Sequence, residues 1–124
     1  MVGLGTGTLA AYGQAGDYLR FYEINPSVLR IAQSQFTYLT NCAAHTEVVL
    51  GDARLSLEKE PSQEFDLLAL DAFSSDAIPV HLLTEEAFRL YQRHLKSVGI
   101  LAVHISNASL DLEPVVAGLA SKFG

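Results

Sequence analysis

Residues 18–26 read YLRFYEINP, a strand pattern that leads directly into the start of a helix. Tyr18–Ile24 is aromatic and β-branched, and it is too short for a helix. Asn25 can cap a helix whose first position is Pro26, where proline is favoured. Apolar residues then recur at helical spacing to about Cys42. The stretch therefore predicts a strand followed at once by a helix.

The same alternation continues along the rest of the chain. Further strands are predicted at 47–50, 65–70 and 100–105, and further helices at 53–60, from Thr84 to Gly99, and from about Asp111 onward. The 65–70 stretch is almost wholly apolar, which is typical of a strand buried on both faces. This order predicts an α/β fold with a doubly wound, mostly parallel sheet of about five strands.

The composition is that of an acidic globular protein. The chain has 124 residues, 14 acidic and 8 basic side chains, a net charge of -6 and 49% apolar residues. This composition is too apolar for intrinsic disorder, and the negative charge argues against a nucleic-acid partner. The single Cys42 excludes an intrachain disulfide and suits a reducing compartment. No membrane-spanning run or signal peptide is visible, so we expect a cytoplasmic protein with no membrane partner.

A glycine loop and a carboxylate lie where such a sheet binds ligands, beyond the carboxyl ends of its strands. Gly3, Gly5 and Gly7, with Thr6 among them, would let the backbone approach a ligand and would expose N–H groups at a helix start. The GxGxG form suits a nucleoside better than NAD. Glu23 follows about 20 residues on, where a carboxylate can accept both hydroxyls of a ribose. The alternatives are a tight turn for the loop and a solvated carboxylate for Glu23.

Two further candidates follow the next predicted strand. Asp52 could accept a hydrogen bond from an adenine amino group while the N–H of Ala53 is offered to a ring nitrogen. Alternatively, Asp52 simply caps the helix that begins at Ala53. Both roles can hold together.

A pair of carboxylates follows the apolar 65–70 strand. Asp71 would lie at the mouth of the sheet, with Asp76 five residues further on. Two carboxylates that face one cleft can hold a cationic amine and remove its proton as it attacks. The alternative is ordinary turn chemistry, in which Asp and Ser bond to nearby backbone.

The remaining polar residues give weaker signals. His104 lies within the predicted 100–105 strand and is expected to be a core histidine. The other three histidines lack the spacing of a metal site, so no metal is expected. Ser74 and Ser75 lack the surroundings of a serine nucleophile.

Four motifs in order resemble the spermidine synthase family, whose members are aminopropyltransferases. They are GLGTGT at 3–8, YEINP at 22–26, GDAR at 51–54 and LDAFSSDAIP at 70–79. The resemblance implies a Rossmann-like fold of the class I S-adenosylmethionine-dependent methyltransferase type. It implies decarboxylated S-adenosylmethionine as donor and a polyamine as acceptor.

The resemblance also implies a role for each candidate residue. The three glycines would line the nucleoside, Glu23 would bind the ribose, and Asp52 with Ala53 would read the adenine. Asp71 would accept the proton of the attacking amine, and Asp76 would contact the amine substrate.

Three departures from the family pattern leave other functions open. Thr6 stands where the family carries an aspartate in its first glycine motif, Ala72-Phe73 follows Asp71 as an insertion, and Ala77 replaces a proline. An acid at position 6 would repel a donor carboxylate and Thr6 would not, which favours S-adenosylmethionine and a methyltransferase. The third alternative is a non-catalytic, nucleoside-binding remnant.

The length is short for this fold. We expect a single domain over residues 1–124, truncated at both ends, because the glycine loop begins at Gly3 and only about five strands can be found. Cut sheet edges expose apolar strands, which predicts either pairing with another copy, as a homodimer, or low stability.

Overall fold

The computed structural model describes residues 1–72, 79–107 and 110–123. They form two compact units, the first over Met1–Ser56 and the second from Leu57 onward. Each unit contains one pair of parallel strands. The α/β class and the parallel pairing are confirmed, whereas one doubly wound sheet and one domain over 1–124 stay predictions.

The first unit has the strand and helix that YLRFYEINP predicts. β1 (Tyr18–Glu23) pairs in parallel with β2 (His45–Leu50), and α1 (Pro26–Gln35) lies between them in the chain. Val2 adds an isolated parallel bridge to Tyr22, so a fifth strand is reduced here to one bridged residue.

The start of α1 is set locally, and its end is earlier than predicted. The Asn25 side chain accepts a hydrogen bond from the Ser27 backbone N–H at 2.9 Å, which confirms the cap. The helix ends at Gln35, not near Cys42, because Phe36 is extended at φ -129° and ψ 155°. Aromatic and β-branched residues follow, and these have low helix propensity.

A small apolar core holds the glycine loop onto β1 and α1. Leu4 from the loop packs with Ala10, Phe21 of β1 and Ala32 of α1, all of them buried. Burying these side chains stabilises the loop against the strand by roughly 1.5–3 kcal/mol for each large one. The position of the loop is therefore fixed by packing as well as by hydrogen bonds.

Within the described residues, the second unit contains two strands, two whole α-helices and a short 3-10 helix, Val80–Leu82. α2 (Ala53–Lys59) begins in the first unit; β3 (Phe65–Leu70), α3 (Glu85–His94), β4 (Leu95–Val103) and α4 (Glu113–Phe123) belong to the second. β3 and β4 are parallel. The predicted strand at 65–70 and the helix near Asp111 are confirmed.

The boundary between α3 and β4 differs from the prediction. The helix ends at His94 instead of Gly99, and the strand ends at Val103 instead of Ile105. The register shifts between Phe65, which is opposite Leu95, and Leu67, which is opposite Ile100. Residues 95–99, which the sequence predicts as helix, instead form the first part of β4 beside β3. Pairing with a strand distant in the chain decides this, whereas helix propensity depends on neighbouring residues only.

β3 is less buried than its composition indicates. Leu68 and Leu70 are buried, but Leu67 is 56% exposed. The expectation of a strand buried on both faces is therefore wrong for this strand. None of the helices in the described ranges has the length and the hydropathy that a membrane span requires.

Candidate functional site

The glycine loop has the backbone conformation that requires glycine. Gly3, Gly5 and Gly7 have φ angles of 92°, 55° and 84°, in the region that side chains disfavour. A Cβ on Gly7 would come within 3.2 Å of Leu39, whereas one on Gly5 would meet nothing within 4 Å. The loop is thus packed at Gly7 and open at Gly5, where a ligand can approach the backbone.

The helix that follows the loop is shorter than predicted. Thr8–Tyr12 forms a 3-10 helix of five residues, which begins directly after Gly7. The Gly7 backbone N–H bonds to the Leu4 carbonyl at 2.9 Å, and the Ala10 N–H bonds to the Gly7 carbonyl at 2.9 Å. Tight turns therefore occupy some of the loop's backbone N–H and C=O groups. Where the sequence predicts the start of a helix, only this short 3-10 helix forms.

Glu23 links the end of β1 to the glycine loop. Its Oε2 accepts a hydrogen bond from the Leu4 N–H at 3.0 Å, and its Oε1 accepts one from the Asn25 N–H at 2.8 Å. The residue is 8% exposed. The alternative of a solvated carboxylate is therefore wrong, and ribose binding stays a prediction.

Asp52 caps a helix beside the end of β1. Its Oδ1 accepts a hydrogen bond from the Leu55 N–H at 2.9 Å, while the Ser56 N–H donates to the Asp52 carbonyl at 2.9 Å. The Gly51 N–H donates to the Glu23 carbonyl at 2.9 Å, so Asp52 follows the carboxyl end of β2 next to Glu23. The capping role is confirmed; the adenine contact of Asp52 and Ala53 stays a prediction.

Thr6 is partly buried in the loop. Its hydroxyl shares a hydrogen bond of 2.7 Å with the hydroxyl of Thr8. A hydroxyl both donates and accepts, so this pair offers the loop a neutral polar surface. Such a surface is compatible with either a carboxylate or an ammonium nearby.

In the second unit, the first residue after β3 contacts the first residue after β4. Asp71 Oδ1 lies 2.6 Å from His104 Nδ1, and both side chains are about half exposed, at 50% and 47%. The backbone N–H of His104 also donates to the Leu70 carbonyl at 3.0 Å. The two side chains are therefore placed by the parallel register of the strands they follow.

The expectation that His104 is a core histidine is wrong. It rests on a strand that continues to Ile105, whereas β4 ends at Val103. The strand register, which local sequence does not show, places His104 correctly. Leu70 is opposite Val103, so Asp71 directly after β3 lies opposite His104 directly after β4. A sheet that binds ligands beyond its carboxyl ends makes both positions functional candidates.

A small, open pocket of about 20 Å³, enough for about one water molecule, lies beside this pair. His104 contributes to its wall, and the other lining residues are apolar: Leu70, Ala72, Pro79, Leu82, Leu83 and Val103. This pocket is far smaller than the roughly 300–1,000 Å³ of cavities that enclose a small-molecule ligand, so it offers His104 an apolar surface and not an enclosed site.

Asp76, the second carboxylate of the predicted pair, lies outside the described residues, as do Ser74 and Ser75. Within the described ranges, no group of three or more His, Cys, Asp or Glu side chains is placed to hold a metal ion.

No protein-family model matches the chain. One curated protein aligns with it over its whole length. The chain is similar to a polyamine aminopropyltransferase. That protein, from Vibrio vulnificus (strain CMCP6), is 30% identical over an alignment 131 positions long, which covers 100% of this chain and 42% of the relative. The chain thus spans less than half the length of the curated relative that it matches.

This similarity agrees with the family that the four motifs indicate. Neither the relative nor the two parallel strand pairs identifies the methyltransferase superfamily, which stays a prediction.

Proposed function

We propose that the chain is the nucleoside-binding core of a spermidine synthase-like aminopropyltransferase with a class I methyltransferase fold. The donor is decarboxylated S-adenosylmethionine and the acceptor is a polyamine. The observation that carries this choice of reaction is the similarity to a polyamine aminopropyltransferase along the whole chain. The two groups of candidate residues support it from the geometry of each unit.

The first unit supplies the donor site in this proposal. Gly3, Gly5, Thr6 and Gly7 line the nucleoside, and the open space at Gly5 leaves room for close approach to the backbone. Glu23 binds the ribose hydroxyls, since each carboxylate oxygen has two lone pairs and can accept a second hydrogen bond. Its two backbone bonds hold it in place before the donor arrives.

Asp52 and Ala53 complete the donor site by contacting the adenine. The cap uses Asp52 Oδ1 toward the helix, and the carboxylate has further lone pairs for an amino group. Because the Gly51 N–H bonds to the Glu23 carbonyl, the ribose and adenine contacts come from neighbouring strand ends.

The second unit supplies the acceptor chemistry. The amine nitrogen attacks the propyl carbon beside the sulfonium; a C–N bond forms, the C–S bond breaks, and its electron pair leaves on the sulfur of methylthioadenosine. Asp71 serves in removing the proton of the amine, with Asp76 as its partner toward the cationic substrate. The sulfonium releases a neutral thioether, which is a good leaving group, so the proposal assigns no metal.

The test measures donor binding and turnover in the same protein. Titration calorimetry is run with decarboxylated S-adenosylmethionine, S-adenosylmethionine and methylthioadenosine, followed by assay of methylthioadenosine release with a panel of aliphatic polyamines. The proposal expects decarboxylated donor and methylthioadenosine to bind and polyamine-dependent release to follow. Failure of all three compounds to bind would overturn it.

Thr6 favours one alternative, a methyltransferase of the same fold. Its neutral hydroxyl tolerates the carboxylate of S-adenosylmethionine, where an aspartate would repel it. Tighter binding of S-adenosylmethionine than of the decarboxylated form, with methyl transfer to an acceptor, would select this alternative. Donor binding without turnover of any acceptor would indicate a non-catalytic remnant.

A further inference from the structure

We infer that His104 shares the proton-accepting role with Asp71, so that the acceptor amine gives its proton to an Asp71–His104 pair. The inference rests on the proposed aminopropyl transfer and identifies a residue that neither the motifs nor the similarity assigns.

The first support is the geometry of the pair. His104 Nδ1 lies 2.6 Å from Asp71 Oδ1. An ionised carboxylate can only accept, so Nδ1 is the donor and carries a hydrogen in this pair. That tautomer makes Nε2 the ring nitrogen that takes up a proton. Asp71 then fixes the orientation of the ring and stabilises the positive charge that the ring acquires.

The second support is where the pair lies. Both residues follow paired parallel strands, and their backbones are joined by the bond from the His104 N–H to the Leu70 carbonyl at 3.0 Å. The carboxyl ends of two paired strands are a more rigid support for a proton acceptor than a loop would be. A contact between two long surface side chains would lack this constraint.

The third support is the apolar surface beside His104. The small pocket at this histidine is otherwise lined by apolar side chains, so the methylene chain of an aliphatic amine can pack against their surface while its nitrogen reaches the imidazole.

The proton balance of the step is complete. The acceptor ammonium first gives one proton to the imidazole, which becomes an imidazolium paired with the Asp71 carboxylate. The neutral nitrogen then attacks; as the C–N bond forms and the C–S bond breaks, it becomes a secondary ammonium and leaves with the product. Solvent then removes the proton from the imidazolium, which the half-exposed pair allows.

The competing interpretation is a surface ion pair with no chemical role. Exposed pairs of this kind contribute between 0 and about 1 kcal/mol to stability. Loss of such a pair would leave turnover unchanged. Turnover therefore separates the two interpretations, provided that folding and donor binding are measured alongside.

The test uses His104→Gln, Asp71→Asn and the double variant in the whole protein. His104→Gln keeps a polar side chain that cannot take up a proton. We expect each single variant to lower kcat by about 100-fold or more, within the range of general acid–base catalysis, with donor affinity unchanged. The double variant is expected to be no slower than the slower single variant, because the two residues act as one unit. His45→Gln, an exposed histidine of the first unit, is the matched control and should retain full turnover.

A second variant, His104→Ala, guards against a purely structural effect. Added imidazole should restore its turnover in proportion to imidazole concentration, and should not restore that of Asp71→Ala. His104→Gln turnover within threefold of the unaltered protein would overturn the pair and leave the proposed function standing. Absence of polyamine-dependent release from the unaltered protein would overturn the proposed function and the pair with it.

Discussion

The Glu23 carboxylate accepts a hydrogen bond from the backbone N–H of Leu4, 3.0 Å away and buried. This bond ties the last residue of β1 to the second residue of the GLGTGT motif. The other carboxylate oxygen accepts from the Asn25 N–H, where α1 is capped. One side chain thus fixes both the glycine loop and the entry to the helix, so its proposed role toward the ribose is coupled to folding.

Replacing Glu23 should therefore affect stability and donor binding to different extents. Glu23→Gln keeps an acceptor for one N–H but turns an NH₂ group toward the other or toward the ligand. We expect a loss of about 1–3 kcal/mol in the free energy of unfolding, measured by urea denaturation, because a buried N–H loses a charged acceptor. Donor affinity should fall by at least about 10-fold in calorimetry at a temperature where the variant is folded.

Glu58→Gln is the control for this experiment, since Glu58 is exposed on α2. It should leave stability and donor affinity close to those of the unaltered protein. Loss of stability in Glu23→Gln with unchanged donor affinity would restrict Glu23 to a structural role and contradict ribose binding.

Asp52 allows its two roles to be separated. Asp52→Ala removes the acceptor at 2.9 Å from the Leu55 N–H and should cost about 1 kcal/mol in unfolding free energy. Asp52→Asn retains a capping oxygen, so its stability should stay within a few tenths of a kcal/mol. The amide cannot supply the second acceptor that an adenine amino group requires, so donor affinity should still fall. Equal donor affinity in Asp52→Asn and the unaltered protein would count against the adenine contact.

The parts of the fold that sequence predicts well are those determined by neighbouring residues. β1 and the start of α1 follow from a local strand pattern and from the bond between Asn25 and the Ser27 N–H, two residues away. The Asp52 cap is equally local. In each case the residues that decide the structure are visible in one short window.

The parts that sequence misses depend on partners distant in the chain. β4 begins at Leu95 because Leu95 pairs with Phe65, and it ends where pairing with Leu70 ends. The same pairing moves His104 from the expected core to the strand edge beside Asp71. Glu23 is similar, because its bond to the Leu4 N–H spans 19 residues and no local pattern indicates it.

A buried histidine in the second unit predicts how stability depends on pH. His94 is fully buried, its Nε2 lies 2.9 Å from the Leu57 carbonyl, and its Nδ1 has no hydrogen-bond partner within the described residues. Burial, with a smaller contribution from the neighbouring Arg93 guanidinium, lowers the pKa of His94 below its usual 6.5. The unfolded chain therefore binds more protons than the folded one just below pH 6.5, and stability rises with pH there.

We expect the free energy of unfolding to fall as pH drops below about 6.5, and to level off once pH is below the lowered pKa of the folded state. His94→Gln should remove this part of the pH dependence while keeping an amide donor for the Leu57 carbonyl. Urea denaturation gives the free energy of unfolding of both proteins between pH 5 and pH 8. Subtracting one pH curve from the other removes the contribution of the other histidines, which is common to both proteins. Curves of equal shape would contradict a lowered pKa of His94 in the folded state.

Two glycines of the second unit should respond in opposite directions to substitution by alanine. A Cβ on Gly99 would lie 2.8 Å from the Phe65 carbonyl oxygen and 3.0 Å from that of Lys96, both of them backbone atoms that cannot move cheaply. Gly99→Ala should therefore lower the free energy of unfolding by about 1–3 kcal/mol, as overpacking does.

A Cβ on Gly118 in α4 would meet nothing within 4 Å, so Gly118→Ala should raise the free energy of unfolding by up to about 1 kcal/mol through helix propensity. Urea denaturation of the two variants compares them under identical conditions. A Gly99→Ala protein as stable as the unaltered one would mean that β4 does not approach β3 through the irregular register between Phe65 and Leu67.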